Sequence, residues 1–303
     1  MQDINSENDL LNIRILLKDF PRILLCSYDQ GGAEVLSSWA TGEKLNFDYI
    51  LGDFALNIFK QKMANLSNQV TFDQINHDLL ISTLGWQTNF EHEVIIKAKA
   101  GGAKSLIFLD HYGDYKGCLT RGGITQTADW VVAFDEISRE KAIRELPRSE
   151  VFLVPNLYVE NTAERAKALK GKSSVQYQIL YLTEPHQQDD AYSEFDAINF
   201  FFQTLSENQL TETKILIRIH PSEISEKYQG KVPNVFKNVT FSDGNPLERD
   251  IASSRFVVGT YTTALKVAEL SGSSAYSTLV MPPITPTVPY RPLKGLVEVL
   301  SRT

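Results

Sequence analysis

"VENTAERAKALKGKSS" (residues 159–174) runs directly into "VQYQILYLTEP" (175–185). The first segment is polar and rich in small residues, and the second is an aliphatic and aromatic run with strand character that stops at Pro185. Before residue 159 the chain alternates apolar strands with amphipathic helices, and after residue 175 the same alternation starts again. A rhythm that stops and restarts predicts two α/β domains, 1–158 and 175–303, with 159–174 as a linker that has room for a short helix. A length of 303 residues suits two domains of about 150 residues each.

Outward from this boundary, the first half offers strands at "RILLCSY" (22–28), "FDYILGD" (47–53), "HDLLISTLG" (77–85), "AKSLIFLD" (103–110), "ADWVVAFD" (128–135) and "EVFLVPN" (150–156). Helical spacing of apolar residues fills the gaps, as in "FEHEVIIKAKAGG" (90–102), which closes on glycines. The second half gives strands at 175–185, "TKILIRIHP" (213–221), "VTFSDG" (239–244), "RFVVGTY" (255–261) and "AYSTLVMPP" (275–283), and a short helix near 293–301. Continuous apolar strands separated by helices predict parallel sheets covered on both faces. The fold class is α/β, with two Rossmann-like domains facing each other across a cleft and ligands expected beyond the carboxyl ends of the strands.

Composition narrows the function classes. The chain is 43% apolar and 22% charged, carries a net charge of −7 and has a pI near 5.4. No block of Lys and Arg stands out, so nucleic acid is not an expected partner. The two cysteines, Cys26 and Cys118, lie beside strands outside any C-x-x-C spacing and read as small buried thiols of a reducing cytoplasm. The N-terminal "MQDINSENDLLNIRILLKDFP" lacks the basic and apolar regions of a signal peptide, and no apolar run reaches the length of a membrane span. The five histidines are scattered without metal-ligand spacing, so no metal is expected, and neither GxGxxG, a Walker lysine motif nor GxSxG occurs.

Chemistry is sought after each strand. "SYDQGGAEV" (27–35) places Asp29 and the pair Gly31-Gly32 where a helix opens; its free amides suit an anion or a sugar, and a tight turn accounts for the glycines equally well. "TLGWQTNFEHE" (83–93) offers Trp86 as a wall of a sugar site and Glu91 in the first helical turn, where a carboxylate also simply complements the helix dipole. "SLIFLDHYGDYKGCLTRGG" (105–123) ends a strand in Asp110 and His111, candidates for a general base and its orienting partner, with Tyr112 and Asp114 as sugar contacts. In the second half, "ILIRIHPSE" (215–223) brings Arg218, His220, Pro221 and Ser222 to a strand end, and "VVGTYTTALKVAE" (257–269) brings Gly259, Thr260, Thr262 and Thr263 to a helix start. Together these eight form a candidate phosphate site, although a Thr at a helix start is also an ordinary cap.

"RIHPSE" (218–223) followed by "GTYTTALKVAELSG" (259–272) resembles the second domain of bacterial sialyltransferases and of related capsule and lipopolysaccharide glycosyltransferases with the two-domain GT-B fold. In those families a His-Pro pair and a Ser/Thr-rich turn hold the phosphate of a CMP-activated acidic sugar. An acidic pair plus Gly after a first-domain strand supplies the base, and the matching place here is "LDHYGD" (109–114). This sequence departs from that pattern in having His111 after Asp110, with the Gly later. The first half is similar to surface-polysaccharide proteins with a Gly-Gly-Ala turn, a Gly-Trp turn before a Glu-bearing helix and an Asp-His-aromatic motif.

The resemblance implies a cytoplasmic, metal-independent glycosyltransferase that takes a nucleotide sugar as co-substrate and needs no further cofactor. Its partner would be a glycan or glycolipid acceptor, with a peripheral membrane contact where the acceptor is lipid-bound. Inversion by direct displacement is the default for a single base. A nucleotide-sugar epimerase or hydrolase on the same fold, and a non-catalytic nucleotide-sugar-binding subunit, are the alternatives. The sequence leaves the sugar, the linkage and the oligomeric state open.

Overall fold

The computed structural model describes residues 4–63, 66, 68–85, 88–172, 174–185, 192–279 and 290–302. The chain divides into two units, Met1–Tyr158 and Val159–Thr303.

The first unit opens with helix α1 (Ile4–Leu17) and alternates β1 (Ile23–Ser27), α2 (Gln30–Thr41), β2 (Asp48–Leu51), α3 (Asp53–Lys62), β3 (Leu79–Thr83), α4 (Phe90–Ala100) and β4 (Lys104–Phe108). A one-turn helix α5 (Tyr115–Cys118) and a small hairpin of β5 (Thr120–Arg121) and β6 (Ile124–Thr125) follow, then β7 (Trp130–Ala133), α6 (Glu136–Glu145) and β8 (Glu150–Leu153). Six strands make one parallel sheet in the order β2-β1-β3-β4-β7-β8. Every residue of β1 and β3 is buried, as expected of central strands covered on both faces. One face packs Leu25, Ile81, Leu106 and Phe108 under α1, α2 and α3; the other packs Leu24, Leu80, Ile107 and Val131 under α4 and α6. At the outer edge of the sheet the chain returns beside β2: the Tyr49 amide donates to the Asn68 carbonyl at 2.8 Å, and the Val70 amide donates to the Tyr49 carbonyl at 2.8 Å.

Helix α7 (Leu157–Lys170) takes up most of the stretch expected to be a linker. Its buried residues Val159, Thr162, Ala163 and Ala166 follow the i, i+3, i+4, i+7 spacing of one helical face. Within the second unit α7 is tied down by Arg165 to Glu248 at 2.8 Å and by Lys170 to the Ser271 carbonyl at 3.2 Å. There follow β9 (Tyr177–Leu182), α8 (Glu194–Glu207), β10 (Ile215–Arg218), β11 (Val239–Phe241), α9 (Leu247–Ala252), β12 (Ser254–Gly259), α10 (Thr263–Leu270), β13 (Ser274–Ser277), β14 (Arg291–Pro292) and α11 (Leu293–Leu300). The last strand expected from sequence, 275–283, is represented by β13; residues 280–283 lie outside the described residues. This sheet is also parallel throughout, in the order β11-β10-β9-β12-β13-β14. Aromatic residues fill one of its faces, where Tyr181, Phe201, Phe202, Phe236 and Tyr276 pack with Leu293 and Leu296 of α11.

The two strand orders fix where ligands belong. Counted within each sheet, the first runs 2-1-3-4-5-6 and the second 3-2-1-4-5-6. In both, successive connections leave the first strand in opposite directions, which opens a crevice at the carboxyl ends of that strand and one neighbour. The crevice lies at β1 and β3 in the first unit and at β9 and β12 in the second.

Candidate functional site

At the β1/β3 crevice three carboxyl groups come together from three different loops. Asp29 precedes α2, Glu91 lies in the first turn of α4, and Asp110 follows β4. Glu91 is 2% exposed, and its Oε1 accepts the Tyr28 amide at 2.6 Å and the Asp29 amide at 3.4 Å. A carboxylate from α4 thus closes the turn that ends β1. Glycines make the approach possible. A Cβ on Gly85 would lie 2.0 Å from Glu91 Oε2, one on Gly32 would lie 2.2 Å from Thr83 Oγ1, and one on Gly31 would lie 3.2 Å from Asp110 Oδ2. Gly31 and Gly32, expected either to offer free amides to a ligand or to form a tight turn, let α2 descend onto the ends of β3 and β4.

Crowding of acids in a dry site displaces their protonation. Burial, followed by the charge of Asp29, pushes Glu91 up to about 7 against the pull of its amide donors. Burial, then Asp29 and Glu91, pushes Asp110 well above the usual carboxylate range. Asp110, expected as the base, therefore holds its proton more tightly than an ordinary carboxylate does. His111 follows it with Nδ1 accepting the Gly113 amide at 2.8 Å. An amide only donates, so the ring proton sits on Nε2, 3.8 Å from Asp110 Oδ1 and 3.9 Å from Cys118 Sγ. Burial, then the charge of Lys141, lowers His111 to about 4, so the ring is neutral.

The remaining first-unit candidates are placed differently. Tyr112 is 3% exposed, donates its hydroxyl to Asp135 and packs edge-on against Phe134. Asp114 caps α5 by accepting the Gly117 amide at 2.8 Å. Both hold the loop, and neither contact is with the three carboxyl groups. Trp86 lies outside the described residues. The sequence reading passed over Arg121, which binds Asn89 Oδ1 at 3.1 Å and the Gly85 carbonyl at 3.2 Å, and also the carbonyls of Gly117, Cys118 and Thr120. It ties the β5–β6 hairpin to the loop that leads into α4.

At the β9/β12 crevice, Thr183 and Glu184 join two loops. Thr183 Oγ1 accepts the His220 amide at 2.8 Å and donates to Glu223 Oε2 at 2.7 Å. Glu184 Oε2 accepts the Thr260 hydroxyl and the Tyr261 amide, the latter at 3.1 Å. Two consecutive residues after β9 thus bind the loop after β10 on one side and the turn after β12 on the other. His220 Nδ1 accepts the Ser222 amide at 3.2 Å and lies 2.7 Å from Ser222 Oγ, which again leaves the proton on Nε2. Burial lowers His220 to about 4. Thr262 caps α10, its Oγ1 accepting the Ala264 amide at 3.4 Å, and Thr263 opens that helix. The Gly259 carbonyl accepts the Thr278 amide at 2.8 Å, and Pro221 is exposed.

Arg218, expected beside a phosphate, pairs with a buried acid of its own unit. Its NH1 donates to Asp250 Oδ2 at 2.7 Å and to the Asn245 carbonyl at 2.5 Å, and Asp250 is 1% exposed. Thr183, Glu184 and Glu223 were not singled out from the sequence. The sequence signal for the first two was their place directly after the apolar run "VQYQILYL" (175–182), at a strand's carboxyl end. Among the described residues no group of three or more His, Cys, Asp or Glu is arranged to hold a metal ion, and no helix is long and apolar enough to cross a membrane.

No family model and no curated protein matches the sequence. Solved structures do match. The UDP-GlcNAc 2-epimerase from Neisseria meningitidis bound to UDP-GlcNAc superposes with a TM-score of 0.63 at 10% identity, covering 93% of this chain and 91% of that one. The MnaA–UDP co-structure from S. aureus gives 0.57 at 11% identity, covering 84% and 78%. Anabaena Alr3699/HepE in complex with UDP and glucose gives 0.55 at 12% identity, covering 93% and 89%. The likeness is one of fold, a GT-B-like pair of Rossmann-type domains that extends over most of each chain.

Proposed function

We propose that the chain is a nucleotide-sugar enzyme, and that glycosyl transfer to a surface-glycan acceptor is its reaction. The observation that carries this reading is the array at the β9/β12 crevice, where Thr183 and Glu184 hold the His220 loop and the Thr260–Thr263 turn together at the switch point. Support also comes from the fold likeness to enzymes solved with UDP-GlcNAc or UDP, said of those proteins by their structures.

In this reading the donor's phosphate lies at the second-unit crevice, and neutral His220 donates Nε2–H to a phosphate oxygen. The acceptor oxygen bonds to the anomeric carbon while the bond from that carbon to the phosphate oxygen breaks, and the electron pair leaves with the nucleotide. The acceptor's proton goes to a carboxylate, with Asp110 as the candidate and His111 orienting it. A carboxyl with raised proton affinity is the stronger base once it is ionised. The resemblance of the His-Pro pair supports CMP as the nucleotide, whereas the solved neighbours hold UDP.

A second reading is favoured by one feature: transfer needs one base, yet Asp29, Glu91 and Asp110 are gathered. Inverting a carbon centre of the donor sugar needs one group to take a proton and another to give one, which suits an epimerase. The deciding experiment incubates the protein with UDP-, GDP- and CMP-sugars, with and without glycan acceptors. Acceptor-dependent product supports transfer, an isomeric nucleotide sugar means epimerisation, and acceptor-independent nucleotide release means hydrolysis. Binding without turnover identifies a non-catalytic subunit.

A further inference from the structure

The turn after β12 already holds an acidic group that belongs to the chain. Glu184 Oε2 accepts the Thr260 hydroxyl and the Tyr261 amide, and the Thr262 amide adds to the hold. These donors lie on the turn that leads into α10, the place where this reading puts the ligand phosphate. Among the described residues, the ionisable groups that bear on Glu184 are Glu223, from the loop after β10, and Tyr181 on β9; the neighbouring His220 is neutral, and the nearby Lys227 is paired with Glu223 Oε1 at 2.6 Å. A second anion beside an ionised Glu184 would meet repulsion in a partly buried site.

We propose that Glu184 is a specificity-determining residue of this crevice, which takes up a proton from solvent when a phosphate diester or diphosphate binds and changes from competitor for the turn into a hydrogen-bond donor to the ligand. This rests on the reading of the second unit as the nucleotide side. Two features make the step accessible. Burial already pushes the Glu184 carboxyl up to about 7, against the pull of Thr260 and the amides. The Thr260 hydroxyl can turn its proton away, and the Tyr261 amide is then released to the phosphate. Ligand affinity must fall as pH rises through this range, by at most about tenfold per pH unit for one proton.

The test is calorimetric titration with UDP-glucose, UDP-GlcNAc, GDP-mannose and a CMP-activated sialic acid, whose phosphates do not titrate between about pH 6 and 8. Two buffers of different ionisation enthalpy report the protons taken up. The expected result is uptake of about one proton at pH 8 by the wild type and a Kd that rises with pH. In Glu184→Gln this uptake is lost and the pH profile is flat. Should that variant fail to fold, the uptake is measured in Glu91→Gln and must persist there. Binding by the wild type without uptake overturns the role of Glu184 and leaves the nucleotide reading intact. Loss of the uptake in Glu91→Gln has the same effect. Failure of every nucleotide sugar to bind overturns both.

Discussion

Gly85 and Glu91 share one space: a Cβ at position 85 would sit 2.0 Å from Oε2 of the Glu91 carboxyl. The glycine lets an acid on α4 reach the amides of Tyr28 and Asp29 at the end of β1. Gly85→Ala must therefore either expel the carboxyl or move the loop. Overpacking of this kind typically destabilises by about 1–3 kcal/mol, and urea denaturation at pH 7 measures it. A midpoint equal to wild type contradicts the close approach.

Glu91 itself is expected to lower stability when ionised. Its carboxyl is raised to about 7 in the folded protein, so the folded state holds the proton more tightly than the unfolded chain does. Below about pH 4.5 both states are protonated and the group contributes nothing; stability is lost as pH rises from there to about 7 and is level above. Glu91→Gln keeps an acceptor for the Tyr28 amide and has no charge to bury. Its unfolding free energy should exceed wild type by up to ~3 kcal/mol at pH 8, with the difference vanishing near pH 4. Equal stabilities at pH 8 would show that Glu91 ionises freely.

Asp110→Asn keeps size and hydrogen bonding and removes the proposed base. Turnover should fall by roughly 10²–10⁴-fold with nucleotide affinity nearly unchanged, in whichever assay of the nucleotide-sugar panel reports activity. Retained turnover would move the base to Asp29 or Glu91.

His220→Ala should weaken nucleotide binding by at least about tenfold, the low end of the roughly 1.5–3 kcal/mol for a lost hydrogen bond to a charged group, without lowering Tm. Because the ring is held neutral with its proton on Nε2, its contribution should not vary between pH 6 and 8. Unchanged affinity in the variant removes His220 from the phosphate site.

Arg218→Met separates a structural role from a ligand role. It leaves Asp250 as a buried charge without its partner, and breaking such a pair typically destabilises by about 3–5 kcal/mol. Denaturation should show that loss, while the remaining folded protein binds nucleotide as wild type does. The reverse pattern would return Arg218 to the phosphate.

The alternation of strands and helices was legible because central parallel strands are buried on both faces and read as unbroken apolar runs, as "RILLCSY" and "TKILIRIHP" do. Helix α7 was not legible as a packed helix because its buried stripe consists of Val159, Thr162, Ala163 and Ala166, residues too small to mark an apolar face. The loop 110–114 shows the limit of sequence adjacency. Asp110 joins Asp29 and Glu91, while Tyr112 turns to Asp135 and Asp114 caps α5, since successive residues of a turn point in different directions. The partner of Arg218 was hidden for a related reason: a strand-end arginine can reach either a ligand or a buried acid, and Asp250 lies in a helix 32 residues away in sequence.

The short return of the chain beside β2 affects how the protein behaves in a crowded solution. An unpaired parallel edge offers a row of free amides and carbonyls on which a strand from another molecule can grow. Here residues 68–70 engage both backbone groups of Tyr49, the middle of that edge, with bonds of 2.8 Å. Excising this three-residue cover would leave the active chemistry untouched in sequence and yet give the sheet a sticky border, so its loss would be read first as turbidity on storage and concentration.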